Sequence, residues 1–139
     1  MFPTILDRFE APPCARHLAL DILAARPEDG WVRIRFEARA EFCNAAGMIQ
    51  GGFLTAMLDD TMGPAVLIKT NAELRPVTIA LTVNFLGAAK PGALIGEATV
   101  VQLGKTIGFV EASLADEAGR MIARATSSVK LIPFDKAGR

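Results

Sequence analysis

The residue best suited to chemistry in this sequence is Asp59, which lies in an otherwise apolar segment from Gly51 to about Lys69. Between Gly51 and Ile68 the only charged residues are Asp59 and Asp60. At helical spacing, the neighbours of Asp59 include no cation: Gly52, Thr55, Ala56, Met62 and Gly63. A carboxylate in apolar surroundings tends to have a raised pKa, which suits it to be a general base, and it can also be a nucleophile. The alternative stays open that Asp59 or Asp60 only hydrogen-bonds a backbone group or faces solvent, and we expect Asp60 to be structural or exposed.

The glycine pair Gly51-Gly52 at the start of this segment is the second chemical feature. The first turn of a helix has unpaired N–H groups and a positive partial charge, and glycine lets a ligand approach that backbone closely. Such a site can stabilise the oxyanion that forms when a carbonyl is attacked. Glycine pairs also mark turns and close packing, so the pair predicts an oxyanion site only in combination with Asp59.

The elements that must position these residues can be predicted from periodicity. The helical spacing of apolar residues after Gly51 predicts one long buried helix, which Pro64 should end or kink. Alternation predicts a half-buried strand over 31–38, followed by a loop over 41–50. Four more strands are predicted over 77–86, 93–103, 106–115 and 121–132, with a hairpin turn at Gly119. We therefore expect an α+β fold in which an antiparallel sheet, ending in a four-stranded meander, wraps around one long apolar helix.

The bulk properties predict one domain over residues 1–139, in which residues 1–30 form an N-terminal extension with a short helix from Cys14 to Ala25. The balance of 15 basic and 15 acidic residues argues against a nucleic-acid partner. No apolar run approaches a membrane span and no signal peptide is apparent, so we expect a cytoplasmic protein. The two cysteines, Cys14 and Cys43, are too few for a disulfide framework or a zinc site, and no metal is expected. Apolar sheet edges and faces predict a homo-oligomer.

The stretch Asn44-Ala45-Ala46-Gly47-Met48-Ile49-Gln50-Gly51-Gly52, followed at a fixed spacing by Asp59, resembles the motif of the PaaI-type acyl-CoA thioesterases of the hotdog superfamily. The segments 77–86, 90–92 and 102–106 are also similar to that family, so the resemblance covers about Trp31 to Ile132. It implies a hotdog fold and hydrolysis of an acyl-CoA thioester to free acid and CoA, without a cofactor.

The resemblance also implies roles for single residues. Asp59 would be the catalytic base or nucleophile, and the Gly51 N–H would bind the thioester oxygen. Asn44 would orient water or the carboxylate, and Thr78 would reach the site from a partner subunit to position water. The site would lie at the interface of a dimer, and dimers of this family commonly pair into tetramers. Three basic residues could meet the phosphates of CoA: Lys90, Lys105 and Arg124.

The sequence departs from the family pattern at Gln50, where a histidine is usual. Glutamine can still hydrogen-bond the carbonyl or support the loop, but it does not titrate near neutral pH. A non-catalytic acyl-CoA-binding protein therefore remains the alternative. A hotdog hydratase is disfavoured, because that chemistry pairs a carboxylate with a histidine and His17 is the only histidine. The acyl pocket is expected to involve Phe53, Met57 and Phe85.

Overall fold

The computed structural model describes residues 4–134, so both ends of the predicted domain, 1–3 and 135–139, lie outside the described residues. The helices and strands follow in the order α1 (Pro13–His17), β1 (Asp21–Arg26), β2 (Trp31–Ala38), α2 (Gly51–Lys69), β3 (Leu74–Phe85), β4 (Gly92–Leu103), β5 (Ile107–Asp116) and β6 (Met121–Pro133). Short 3-10 helices lie at Ile5–Arg8, Pro27–Asp29 and Ala40–Phe42. No helix in this part of the chain is long and apolar enough to cross a membrane.

The strands form one antiparallel sheet with the order β1-β2-β4-β5-β6-β3. The predicted four-stranded meander is therefore wrong in one respect: β3 pairs with β6, not with β4. After β2 the chain crosses the sheet as α2 and re-enters it at the far edge as β3. Of the four strands predicted to form the meander, only β4, β5 and β6 follow one another as neighbours. This arrangement leaves β3 as an edge strand directly after the helix.

The core lies between α2 and the concave face of the sheet. The period-2 pattern of β2 buries Val32, Ile34 and Phe36 completely, and Met57 and Leu58 of α2 are also fully buried. The sequence therefore predicted both elements correctly, because each presents a nearly continuous apolar face to the other.

Gly96 in β4 determines how closely the helix can approach the sheet. A Cβ at this position would lie 2.5 Å from Thr61 Oγ1 and 3.2 Å from Phe36 Cε2. Thr61 is itself fully buried, and its hydroxyl donates to the Met57 carbonyl at 2.7 Å. Glycine at position 96 is therefore required for α2 to pack at this distance.

Two local predictions are wrong. The helix expected from Cys14 to Ala25 is confined to Pro13–His17, and Asp21–Arg26 forms β1 instead. Of the two effects expected of Pro64, an end or a kink, the end is wrong, because α2 continues to Lys69. The last turn buries Ala65, Val66 and Ile68, and this packing outweighs the hydrogen bond that proline removes.

Candidate active site

Asp59 is exposed on α2 at the edge of a groove and is held by a neighbouring strand. The Thr78 hydroxyl in β3 donates a hydrogen bond of 2.8 Å to Asp59 Oδ1. Among the ion pairs found within residues 4–134, none involves Asp59. The expectation that Thr78 would approach from a partner subunit is corrected by this contact, because α2 and β3 of the same chain already bring the two side chains together. Asp59 is thus oriented by a neutral hydroxyl group.

The groove beside Asp59 has a volume of about 300 Å³. Its polar end consists of Asp59, Asp60 and Thr78, and its other walls are small or apolar: Cys14, Leu18, Ala56, Met62, Gly63, Pro76 and Val129. A groove with a carboxylate at one end and apolar walls elsewhere suits a ligand that joins a reactive polar group to an apolar one.

Asp60 also lines this groove, which differs from the structural or exposed position expected for it. Burial, together with the smaller effect of the Asp59 charge, raises the pKa of Asp60 to about 6. Its Oδ2 atom is buried and has no hydrogen-bond partner in the described chain. The spacing in the sequence indicates that Asp60 is partly buried, because Asp60 lies three residues after Met57 and four before Pro64, and both of these residues are buried.

The first turn of α2 forms a second polar cluster. Gln50 caps the helix, with its side-chain Oε1 accepting from the Gly52 N–H at 2.8 Å. No acceptor for the Gly51 N–H is found in residues 4–134. A Cβ on Gly51 would lie 3.2 Å from Phe85 Cζ, so the ring of Phe85 covers one side of this backbone. The turn therefore has one N–H to offer to a ligand, while Gln50 occupies the next.

Asn44 stabilises the loop that leads into this turn. Its side-chain oxygen accepts from the backbone N–H groups of Ala46 at 3.0 Å and Met48 at 3.2 Å. Its own N–H donates to the Met48 carbonyl at 2.7 Å. The Asn44 side chain thus uses its oxygen within the loop, and only its amide NH2 group can face a ligand.

The two clusters are too far apart to act on one carbonyl within a single chain. Gly51 and Asp59 are eight residues apart in α2, which corresponds to about 12 Å along the axis. An attacking group and an oxyanion donor must both lie within about 3 Å of the reacting atoms. Within one chain the two clusters are therefore separate, and we refer to the Asp59–Thr78 pair and the Gly51–Gln50 pair as the two half-sites of the candidate site.

Comparison with known proteins gives the family. Residues 46–123, more than half of the chain, match the thioesterase superfamily. The chain belongs to the thioesterase superfamily. Human acyl-coenzyme A thioesterase 13 is 30% identical over 107 residues, which cover 76% of this chain and 74% of the relative.

Solved structures agree with this assignment. A phenylacetic acid degradation-related protein from Ralstonia eutropha superposes with a TM-score of 0.85 at 29% identity, covering 91% of this chain and 95% of the other. The PaaI protein of E. coli superposes with a TM-score of 0.81 at 23% identity, covering 91% and 88%. The predicted hotdog fold and the resemblance to PaaI-type thioesterases are therefore confirmed, and the chain is a thioester hydrolase.

The three basic residues expected to bind phosphate lie in different parts of this thioesterase. Lys90 is exposed in the loop before β4, beside the α2 entry loop, since the neighbouring Ala89 carbonyl accepts from Ile49 N at 2.8 Å. Lys105 is exposed in the turn between β4 and β5, whereas Arg124 lines a separate cavity on the sheet. None of them lines the Asp59 groove. Of the three, Lys90 is the one whose neighbour in the chain, Ala89, is hydrogen-bonded to the loop that leads into α2.

The side chains expected to form the acyl pocket are also divided. Met57 is fully buried in the core and is not among the residues that line the Asp59 groove. Phe53 stacks on Phe42 with ring centroids 4.3 Å apart. Phe85 is 53% exposed beside Gly51. His17 packs against Phe42 with ring centroids 5.3 Å apart and does not line the groove.

Proposed function

We propose that this protein hydrolyses acyl-CoA thioesters, with Asp59 as the catalytic carboxylate and the first turn of α2 as the oxyanion site. The observation that carries the proposal is the Asp59 carboxylate, which is exposed in the groove and oriented by Thr78 without a cation. The name of the human relative, an acyl-coenzyme A thioesterase, supports the choice of thioester. Thioesters are already activated, so the proposed reaction uses no cofactor.

A homodimer would complete the site. The edge strand β3 exposes the apolar side chains of Val77 (41%), Ile79 (58%) and Phe85 (53%), and an unpaired edge of this kind is a template for strand pairing. If two β3 strands pair antiparallel about a two-fold axis, the two α2 helices also run antiparallel. Such a dimer directs the Gly51 end of one helix toward Asp59 of the other and joins the two half-sites.

Asp59 has two possible routes to products. As a base, it takes a proton from water, hydroxide adds to the carbonyl carbon, and the resulting oxyanion faces the Gly51 N–H. Collapse then breaks the C–S bond, and the thiolate takes the proton from Asp59. As a nucleophile, an Asp59 oxygen attacks the carbonyl carbon, CoA thiolate leaves, and water hydrolyses the mixed anhydride.

A single turnover in ¹⁸O-labelled water would separate the two routes. The base route places the label in the released acid. The nucleophile route, with water attacking the Asp59 carbonyl of the anhydride, places the label in Asp59, where mass spectrometry of the digested protein detects it. Label in Asp59 assigns the nucleophile role, whereas label in the acid alone is expected both for the base route and for a nucleophile route in which water attacks the acyl carbonyl of the anhydride.

The CoA moiety is proposed to bind across the surface through Lys90, Lys105 and Arg124, and Lys90 has the strongest support because its loop contacts the α2 entry loop. Thioesters of N-acetylcysteamine lack the nucleotide phosphates of CoA. Lys90→Ala should therefore raise KM for the CoA ester and leave KM for the N-acetylcysteamine ester within about 2-fold. Arg33→Ala, which removes an exposed cation of β2 that is not assigned to CoA, serves as the comparison, and equal effects of Lys90→Ala and Arg33→Ala on both substrates would contradict the assignment.

The test of the proposed dimer is complementation. Asp59→Asn removes the carboxylate and Gly51→Val blocks the N–H, so each homodimer should be inactive. Subunits refolded as a mixture should recover up to about one quarter of wild-type activity, because half of the dimers are mixed and each has one intact site. Inactivity of the mixture, with mixed dimers detected by mass spectrometry, would contradict the composite site.

A cytoplasmic location and a further pairing of dimers into a tetramer are part of the same proposal. The free cysteines Cys14 and Cys43 support a reducing compartment. Sedimentation of the purified protein measures the oligomeric state directly, and a monomer at the concentrations used for the assay would contradict both the dimer and the tetramer.

A further inference from the structure

Gly63 gives the Asp59 groove its depth, although the fold does not require a glycine there. A Cβ at this position would meet a single atom, Pro76 Cγ at 3.9 Å, which is ordinary van der Waals contact. Glycine weakens a helix interior relative to alanine, so packing alone gives no reason for it. Gly96 is the opposite case, since a Cβ there would lie 2.5 Å from Thr61 Oγ1. The missing side chain at Gly63 therefore creates space in the groove and not a closer helix contact.

The facing wall of the groove comes from the segment around α1, which lies before the part of the chain that matches the family. Leu18 is 4% exposed, and its carbonyl accepts from Glu37 N in β2 at 3.1 Å. The ring of His17 packs against Phe42, with centroids 5.3 Å apart. Cys14 completes this wall and is exposed. The wall is fixed to the sheet, so it can impose a limit on the size of a ligand.

The chemistry of the groove matches an acyl chain that leaves a carbonyl at Asp59. The polar end holds Asp59, Asp60 and Thr78, and the walls beyond it are apolar or small. At about 300 Å³, the groove is larger than an acetyl group needs, so it has room for a longer apolar chain.

We propose that Gly63 and the α1 wall, Cys14 and Leu18, select the acyl group, and that this groove takes linear or aryl acyl groups longer than acetyl. This inference rests on the proposed hydrolysis of acyl-CoA, and it replaces Met57 as the expected pocket residue. The selecting positions are thus one residue of α2 and a segment outside the matched family region.

Binding of non-hydrolysable ketone analogues of acetyl-, hexanoyl- and palmitoyl-CoA, measured by calorimetry, tests the proposal without requiring turnover. The wild type should bind the hexanoyl analogue at least about 10-fold more tightly than the acetyl analogue, because the added methylenes enter an apolar groove. The palmitoyl analogue should bind no more tightly than the hexanoyl analogue. Gly63→Leu should reduce the hexanoyl-to-acetyl affinity ratio by about 10-fold or more.

Gly63→Ala is the matched control for folding. Its methyl group meets only Pro76 at an ordinary distance, so Tm should rise by about 2–4 °C while the affinity ratio falls less than for leucine. Cys14→Phe narrows the same groove from α1 without changing α2, and it should lower the hexanoyl-to-acetyl ratio even if Gly63→Leu fails to fold. An unchanged ratio in Cys14→Phe and in folded Gly63→Leu would overturn the proposal.

The outcomes also separate this inference from the proposed hydrolysis. Loss of hexanoyl selectivity in the variants, in a protein that releases no thiol from any acyl-CoA, would support the pocket and overturn acyl-CoA hydrolysis. Turnover of acyl-CoA with an affinity that does not depend on chain length would support hydrolysis and overturn the pocket.

Discussion

Asp60→Asn should stabilise the protein at neutral and alkaline pH and lose this advantage in acid. Burial and the Asp59 charge raise the pKa of Asp60 from 3.8 to about 6, whereas the unfolded chain keeps the ordinary value. A carboxyl with a raised pKa in the folded state favours folding in its protonated form. Its contribution is fully present below about pH 4 and is lost as the pH rises through about 6. Asparagine does not titrate, so the Asp60→Asn variant does not lose this stability as the pH rises.

The magnitude follows from the shift of about two pKa units. At 1.36 kcal/mol per unit, the upper bound is about 3 kcal/mol. The Asp60 side chain is partly open to solvent, which screens the charge, so we expect a gain of about 1–2 kcal/mol for Asp60→Asn above about pH 7. For a domain of this size, that gain corresponds to a rise in Tm of about 2–8 °C.

Urea unfolding of wild type and Asp60→Asn at intervals from about pH 4 to pH 8 measures the difference in free energy of unfolding. The other titrating groups are shared, so their contributions largely cancel in this difference. Asp59→Asn in the wild-type background provides a control, because removing the neighbouring charge should move the pH-dependent window of Asp60 downward. A difference that stays constant with pH, or that favours the variant most in acid, would refute the reasoning.

Three further predictions concern the two half-sites. Thr78→Val removes the hydrogen bond to Asp59 and should lower kcat about 10-fold or more, while Thr78→Ser should retain most activity. Equal activity of the two variants in a thiol-release assay would argue against an orienting role for Thr78. Gly51→Ala places a Cβ about 3.2 Å from Phe85 Cζ and should lower kcat/KM about 10-fold. The double variant Gly51→Ala with Phe85→Leu should recover part of this activity. If it does not, the Phe85 ring does not crowd the site. Gln50→Ala removes the helix cap and should cost about 1 kcal/mol of unfolding free energy, measured in urea, whereas unchanged stability would contradict the capping role.

The α2 helix could be predicted almost residue by residue, because its apolar spacing and its glycine start are local signals. The strand β1 could not, since Asp21–Arg26 lacks a clean alternation and is held in the sheet by pairing with β2. The pairing of β3 with β6 is also non-local, and no pattern within either strand indicates which strand it pairs with. Local pattern thus determined the elements, and long-range pairing determined their order.

For the candidate site, the sequence likewise indicated individual residues but not the contacts between elements. Asp59 stands out as a charge within an apolar helix, but its position did not predict its environment, because Asp59 is exposed and it is Asp60 that is partly buried. The contact with Thr78 depends on where β3 lies, so the sequence could give the residue but not its chain of origin. The Asp60 carboxyl and the Gly63 space depend on burial and on neighbouring atoms from other elements, which only the folded structure brings together.

The most direct test of the central claim is thiol release from short, medium, long and aromatic acyl-CoAs by wild type and Asp59→Asn. Circular dichroism and Tm of both proteins should first show that the substitution leaves the fold intact, since Asp59 is exposed. Turnover by the wild type, reduced by about 100-fold or more in Asp59→Asn, is the result we predict. Comparable turnover by the two proteins, or no turnover of any acyl-CoA despite measurable binding, would contradict the assignment of Asp59 as the catalytic carboxylate of an acyl-CoA thioesterase.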